Sequence, residues 1–219
     1  KLSYIPNAIH INKFQNPADL AILRTCNIMK NDFIIGTVAA LRPEKNLKAL
    51  ITAFKLFLDH EEKNAACSIK LVIVGGGNER MALEKQASKL GLQDHIVFTG
   101  ALERPERILP AFNIFALSSI TEQMPISVIE AMAAGLPVVA SQAGDIQSMI
   151  SSENKHLIST LNPEILAQNF SLLFNAPETA SRIGQANKAK ASSTYSIDTM
   201  LTRYQDMFEM TINRKDKAG

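Results

Sequence analysis

Strand-length apolar runs alternate with helical patterns about six times along this chain, and that alternation limits the fold more than any other feature. Residues 33–39 form the first run, apolar without interruption, as a strand covered on both faces must be. Residues 47–59 follow with Leu47, Leu50, Ile51, Phe54 and Leu58 at helical spacing. The pattern then repeats. Strand Ile69–Val74, a glycine turn and a helix over 79–90 closed by Gly91 come next. A strand at 96–98 ending at Gly100, a short helix around 104–111 and strand Ile114–Leu117 follow. A strand at 137–140, a short helix at 145–150 and a weak strand at 156–158 complete the series. Short, helical connections exclude hairpins and sandwiches, so the predicted fold is α/β: a doubly wound, parallel six-stranded, Rossmann-like sheet. Extra helices are expected at 163–174, 177–191 and 197–212, wrapping the sheet edge or reaching a neighbouring domain. Arg214-Lys215-Asp216-Lys217 reads as a solvated, frayed end. Ahead of the first strand, Asn16-Pro17-Ala18-Asp19 opens a less regular helical pattern with Leu20, Leu23 and Met29.

The segment from Thr121 to Ala140 reads as loop, helix, tight turn and strand. Pro125 suits a first helical turn, where its missing N–H is no loss, while Gly135 and Pro137 stop the helix. The helix between them is apolar almost all round and therefore buried on most faces. Glu130 is its one ionisable residue. A buried carboxylate without a partner costs several kcal/mol or more, so Glu130 requires either a protein cation or a ligand.

Composition narrows the classes of partner. The chain has 219 residues, 46% hydrophobic and 20% charged, with a net charge of +2, which makes no electrostatic case for a nucleic-acid binder. Cys26 and Cys67 fit no metal or redox spacing and read as reduced thiols of a cytosolic protein. No apolar run approaches the ~20 residues that span a bilayer. The first residue is Lys1, and Tyr4-Ile5-Pro6-Asn7 reads as the middle of a longer polypeptide, so the chain is expected to be a fragment. There is no Asp-x-Asp, no His-Glu-x-x-His and no Gly-x-Ser-x-Gly. His10, His60, His95 and His156 are scattered and read as structural or surface residues.

In an open parallel sheet, ligands bind outside the carboxyl ends of the strands. Several unusual loops fall there. Arg42 and Lys45 follow the first strand; they either hold a phosphate or are satisfied by Glu44 and solvent. Gly75-Gly76-Gly77 follows the second, either admitting an anion at a helix start or making a tight turn with positive φ. It is neither a dinucleotide fingerprint nor a P-loop. Glu122 precedes the central helix, and either complements its dipole or accepts from ligand hydroxyls. The backbone N–H groups of residues 123–126 offer donors to the same ligand. Glu122 and Glu130 are eight residues apart, which suits two parts of one extended ligand better than a close acid–base pair.

Together these residues resemble the C-terminal, nucleotide-sugar-binding half of the group 1 (family 4) glycosyltransferases, retaining enzymes of the GT-B fold. The most specific match is the Glu122-x7-Glu130 pair followed by Ala131-Met132-Ala133-Ala134-Gly135-Leu136-Pro137-Val138-Val139-Ala140. Pro6-Asn7, Pro43-Glu44-Lys45-Asn46, Leu71-Val72-Ile73-Val74-Gly75-x-Gly77 and Val97-Phe98-x-Gly100 support it in order over residues 4–150.

The resemblance implies that Lys45 with Arg42 holds the donor diphosphate and that Glu130 binds the ribose hydroxyls. It implies that Glu122 and the backbone of Gln123, Met124, Pro125 and Ile126 grip the transferred sugar. Gly75 and Gly77 would lie along the donor, and Gly100, Ala101 and Leu102 beside the base. No metal and no cofactor is implied; the nucleoside-diphosphate sugar is the donor substrate. Residues 1–16 would be an interdomain linker remnant, 17–195 the nucleotide-sugar-binding domain and 196–219 a C-terminal helix and tail. The N-terminal acceptor-binding domain would be absent, leaving a fragment inactive alone. The implied location is cytoplasmic, with peripheral attachment at the inner membrane face arising only through the missing half. The pattern is broken at Ala40, where the family has arginine, at Gln123 for glycine, at Gln147 for glutamate, and near Lys155, where a glycine is lacking. Two other readings remain: a non-catalytic nucleotide-sugar-binding module, which Ala40 favours, and a GT-B sugar-nucleotide epimerase.

Overall fold

The computed structural model describes residues 4–215, leaving aside the side chains at 64, 211 and 213–215. Six parallel strands lie in the order β3-β2-β1-β4-β5-β6: β1 Phe33–Val38, β2 Ile69–Val74, β3 Ile96–Gly100, β4 Ile114–Leu117, β5 Val138–Ser141 and β6 Ile158–Ser159. Strand order reverses between β1 and β4, which is the topological switch point of a doubly wound sheet. β1 pairs with β2 over six residues, but with β4 only at Ile35–Ile114 and Gly36–Phe115.

The strand-length apolar runs have the two-sided cover they require. Along β2, Val72 and Val74 enter one core cluster while Leu71 and Ile73 enter the other. Helix α4 (Ile126–Ala133) belongs to the first face, and α2 (Leu47–Glu61) and α3 (Arg80–Lys89) to the second. Two terminal helices complete the cover: α6 (Pro163–Asn175) packs on α2, and α7 (Pro177–Thr194) on α4. The last helix, α8 (Ile197–Lys215), stands off, with Leu201, Tyr204 and Phe208 exposed. A bridge between Ile9 and Ser196 places its start beside the N-terminal strap, residues 4–16, whose Ile9, Ile11 and Phe14 are buried in the core. Asp216 and Lys217 of the expected frayed end lie outside the described residues.

Three local expectations are corrected. The first helix, α1, is only Leu20–Thr25; Asn27 takes φ +53 and ends it, leaving Met29 exposed beyond. The helix expected around 104–111 is two 3-10 turns, Pro105–Arg107 and Leu109–Ala111, because Pro110 cannot continue a helix begun before it. Residues 156–157 belong to a 3-10 turn, Ser152–Leu157, and the last strand begins only at Ile158. The remaining short helix, α5, is Ile146–Met149.

Candidate functional site

At the switch point the loops after β1 and β4 are joined. Lys45 Nζ donates to Glu122 Oε1 at 2.6 Å, across 77 residues of sequence, with the two side chains 22% and 9% exposed. Ser119 Oγ donates to the same Oε1 at 2.7 Å, and Glu122 Oε2 takes no hydrogen bond among the described residues. The loop backbones are tied as well. Ile120 N–H donates to Glu44 O at 2.8 Å, and Ser118 Oγ lies 3.0 Å from both Lys45 O and Asn46 O. Ser141 Oγ, at the end of β5, donates to Ser119 O at 2.6 Å. These three serines are buried, and sequence reasoning passed over all of them. The available signal was a Ser-Ser pair at the carboxyl end of an otherwise apolar strand.

Two expected cations behave differently. Lys45 faces the crevice, whereas Arg42 is 68% exposed and lies 4.0 Å from Glu44, the solvated alternative. Ala40, the position where the resemblance calls for arginine, is exposed on the same loop.

Gly75 and Gly77 have φ of +144° and +155°. A Cβ at Gly77 would stand 2.4 Å from Leu41 O, and one at Gly75 1.9 Å from Ala39 O. The glycines thus let the β2–α3 turn pack against the β1–α2 loop, where Leu41 N–H donates to Gly76 O and Glu79 N–H to Leu41 O. The tight turn with positive φ is the reading that accounts for both residues. Gly100 also has positive φ, and Arg80 lies over it, its guanidinium 5.9 Å from the Phe98 ring centre. Ala101 is exposed beside it and Leu102 half-buried against the core.

Helix α4 begins one residue later than expected. Pro125 is its N-cap, with φ −67° and ψ +119°, and Ile126 the first helical residue. Proline has no N–H, so the donors at this helix start are Gln123, Met124, Ile126 and Ser127. None of the four has a backbone N–H partner among the described residues. Val128, Ile129, Ala131, Met132 and Ala133 are buried, and Gly135, at φ +80°, ends the helix.

Glu130 is mostly buried and makes no ion pair and no side-chain hydrogen bond among the described residues. Burial, and next the charge of Glu106, push its carboxyl above the ordinary range. Glu106 lies on the 3-10 turn Pro105–Arg107, between β3 and β4. For Glu106 burial acts in the same direction, but its backbone hydrogen bond and Arg104 outweigh it and lower the pKa.

The N-terminal strap closes the opposite side. Asn7 N–H and Tyr4 OH approach Met124 Sδ at 3.3 and 3.5 Å, and Asn7 Nδ2 donates to Met124 O at 3.4 Å. Between strap and loop opens a cavity of ≈ 510 Å³ that reaches Glu122, Gln123 and Asp145; Glu130 does not line it. Among the described residues no helix is long and apolar enough to cross a membrane.

Known proteins resemble this chain in sequence and in fold. The α-monoglucosyldiacylglycerol synthase of Streptococcus pneumoniae is 30% identical over 156 residues, 68% of this chain and 34% of that protein. The GDP-mannose-dependent α-(1-6)-phosphatidylinositol monomannoside mannosyltransferase of Mycobacterium tuberculosis is 27% identical over 218 residues, 94% of this chain and 55% of its own. The chain therefore spans about a third to about half the length of the curated relatives it matches. Among solved structures, Anabaena HepE in complex with UDP superimposes with a TM-score of 0.81 at 21% identity, over 95% of this chain and 57% of HepE. A separately solved C-terminal domain of a group 1 family protein, LpcC of Francisella tularensis, gives 0.73 at 20% identity, over 86% of this chain and 99% of that one. The family description "Glycosyl transferases group 1" matches residues 22–190, and the chain belongs to that family.

Proposed function

We propose that this chain is the donor-binding domain of a retaining, metal-independent glycosyltransferase, moving a sugar from a nucleoside-diphosphate sugar to an acceptor. The observation that carries this reading is the Lys45–Glu122 contact at the β1/β4 switch point, set beside the unpartnered N–H groups that open α4. Lys45 and those N–H groups supply fixed positive charge for the diphosphate, which leaves with growing negative charge as the sugar bond breaks. Arg42 would have to turn from Glu44 to join them. Glu122 accepts from the sugar hydroxyls, with Gln123, Met124, Pro125 and Ile126 forming the wall of the sugar site. Glu130 accepts from the ribose hydroxyls, which gives its desolvated carboxylate the donors that the protein leaves out. Gly75 and Gly77 line the diphosphate side, and Gly100, Ala101 and Leu102 flank the base.

In this reading residues 17–195 are the donor domain, and an acceptor-binding half supplies the other wall of the active site. The protein works in the cytoplasm, reaching a membrane only through that half. The UDP and GDP-mannose named with relatives support a nucleotide-sugar donor without choosing the base. Calorimetry of the chain with UDP, GDP and their glucose and mannose conjugates tests the proposal. Binding of at least one, unchanged by EDTA, is expected; a folded sample that binds none overturns it.

One observation favours a second reading, a nucleotide-sugar-binding module that transfers nothing. Ala40 offers no charge and Arg42 faces solvent, which leaves Lys45 as the lone inward cation of this loop. Transfer or hydrolysis of a sugar nucleotide by the full-length parent protein separates the two.

A further inference from the structure

We infer that Ser119 is a positioning residue for Glu122, fixing one carboxylate oxygen so that the other is presented to the donor's sugar. The inference rests on the donor-binding reading above. Glu122 Oε1 accepts from both Ser119 Oγ and Lys45 Nζ, while Oε2 is left without a hydrogen bond among the described residues. A carboxylate held by Lys45 alone has one cation on a flexible four-carbon stem, which is a weak constraint on its plane. The second donor, from a different direction, defines that plane.

Ser119 is itself held. Its carbonyl accepts from Ser141 Oγ at the end of β5, and the preceding residue, Ser118, is bonded through Oγ to the backbone of Lys45 and Asn46. Ser118 and Ser119 are each 1% exposed, so neither hydroxyl can exchange its partner for solvent. The rigid sheet is thereby carried outward through β5 and β4 to the acid, and back to the loop that bears Lys45. Preorganisation of this kind matters most for selectivity. A diphosphate without a sugar makes no use of Oε2, whereas a sugar hydroxyl requires it at hydrogen-bond distance.

The test compares affinities of the chain for UDP against UDP-glucose and for GDP against GDP-mannose, in wild type and Ser119→Ala. Wild type should prefer one sugar nucleotide over its plain diphosphate. Ser119→Ala should reduce that preference about tenfold, the scale of one hydrogen bond to a charged group, with diphosphate affinity unchanged. A preference that survives in folded Ser119→Ala, or both affinities falling together, overturns the inference and leaves the donor-binding reading standing. Wild type that binds both partners of each pair equally also overturns the inference alone. Wild type that binds none of the four overturns both. Should Ser119→Ala fail to fold, Ser119→Cys keeps the volume with a weaker donor and is judged by the same criteria.

Discussion

The two ends of the sheet each hold a buried polar cluster, and the clusters are built on opposite principles. At the amino end of β5, Asn187 and Asn154, both fully buried, bond to one another and to backbone. Asn154 bonds Val138 N–H and O; Asn187 takes Ser151 N–H and donates to Leu136 O. Every polar atom of the two amides has a partner, and no charge is involved. The Ser151 hydroxyl beside them is the one group left over. At the carboxyl ends of β1 and β4 the cluster is charged and incomplete: Glu122 Oε2 and the N–H groups opening α4 have no partner among the described residues. A saturated network stabilises the fold, whereas open valences on a rigid frame are what a ligand needs.

The largest expected effect breaks the saturated end. Asn187→Ala takes away the side-chain partner of Leu136 O and Ser151 N–H and leaves Asn154 Oδ1 with Val138 N–H alone, and should cost about 3 kcal/mol, seen as a lowered urea midpoint. The molecules that remain folded should bind nucleotide as before. Equal damage to binding would mean that the two ends are not separable.

A smaller effect belongs to the open end. Lys45→Met should weaken UDP or GDP binding by about 2 kcal/mol, roughly thirtyfold, while costing less stability than Asn187→Ala, because Ser119 still donates to Glu122. Calorimetry and denaturation on the same samples measure both numbers. A stability loss as large as that of Asn187→Ala would make Lys45–Glu122 a structural pair and remove the contrast.

The smallest effect is at Glu130, and its sign is unusual. Burial and Glu106 raise the native pKa, so the native state holds its proton longer than the unfolded chain does. Stability should therefore fall as pH rises from the ordinary carboxyl range through the raised value. Glu130→Gln should abolish this fall, leave the ligand-free domain slightly more stable at neutral pH, and weaken nucleotide-sugar binding about tenfold. Urea midpoints across a pH series, with calorimetry at neutral pH, check it; a variant destabilised at neutral pH would show that Glu130 supports the fold.

Much of the frame could be read from the residues, because strand runs such as Ile69–Val74 and the stripe Leu47, Leu50, Ile51, Phe54 are local signals of burial. The ending of α4 was legible for the same reason, since Gly135 and Pro137 act on their own neighbourhood. What could not be read was pairing at a distance. Lys45 and Glu122 carry no mark of each other, and whether Arg42 faces inward depends on a loop shape that no spacing reports. Gly75 and Gly77 were ambiguous between ligand and turn because the answer lies in Ala39 and Leu41, on a different strand's loop. α1 was overextended because Met29 continues an apolar count that Asn27 had already ended.

The narrow pairing of β1 with β4 has a mechanical consequence. Two residue pairs join the halves of the sheet there, and beyond Gly36 and Phe115 the strands part without further rungs. Past that point the polar ties between the halves come from the loops, Ile120 to Glu44, Ser118 to Lys45 and Lys45 to Glu122, between two apolar cores that each span the sheet. The crevice is thus a seam at which loop contacts take over from strand pairing, and under the donor-binding reading a molecule spanning it would add one more tie across that seam.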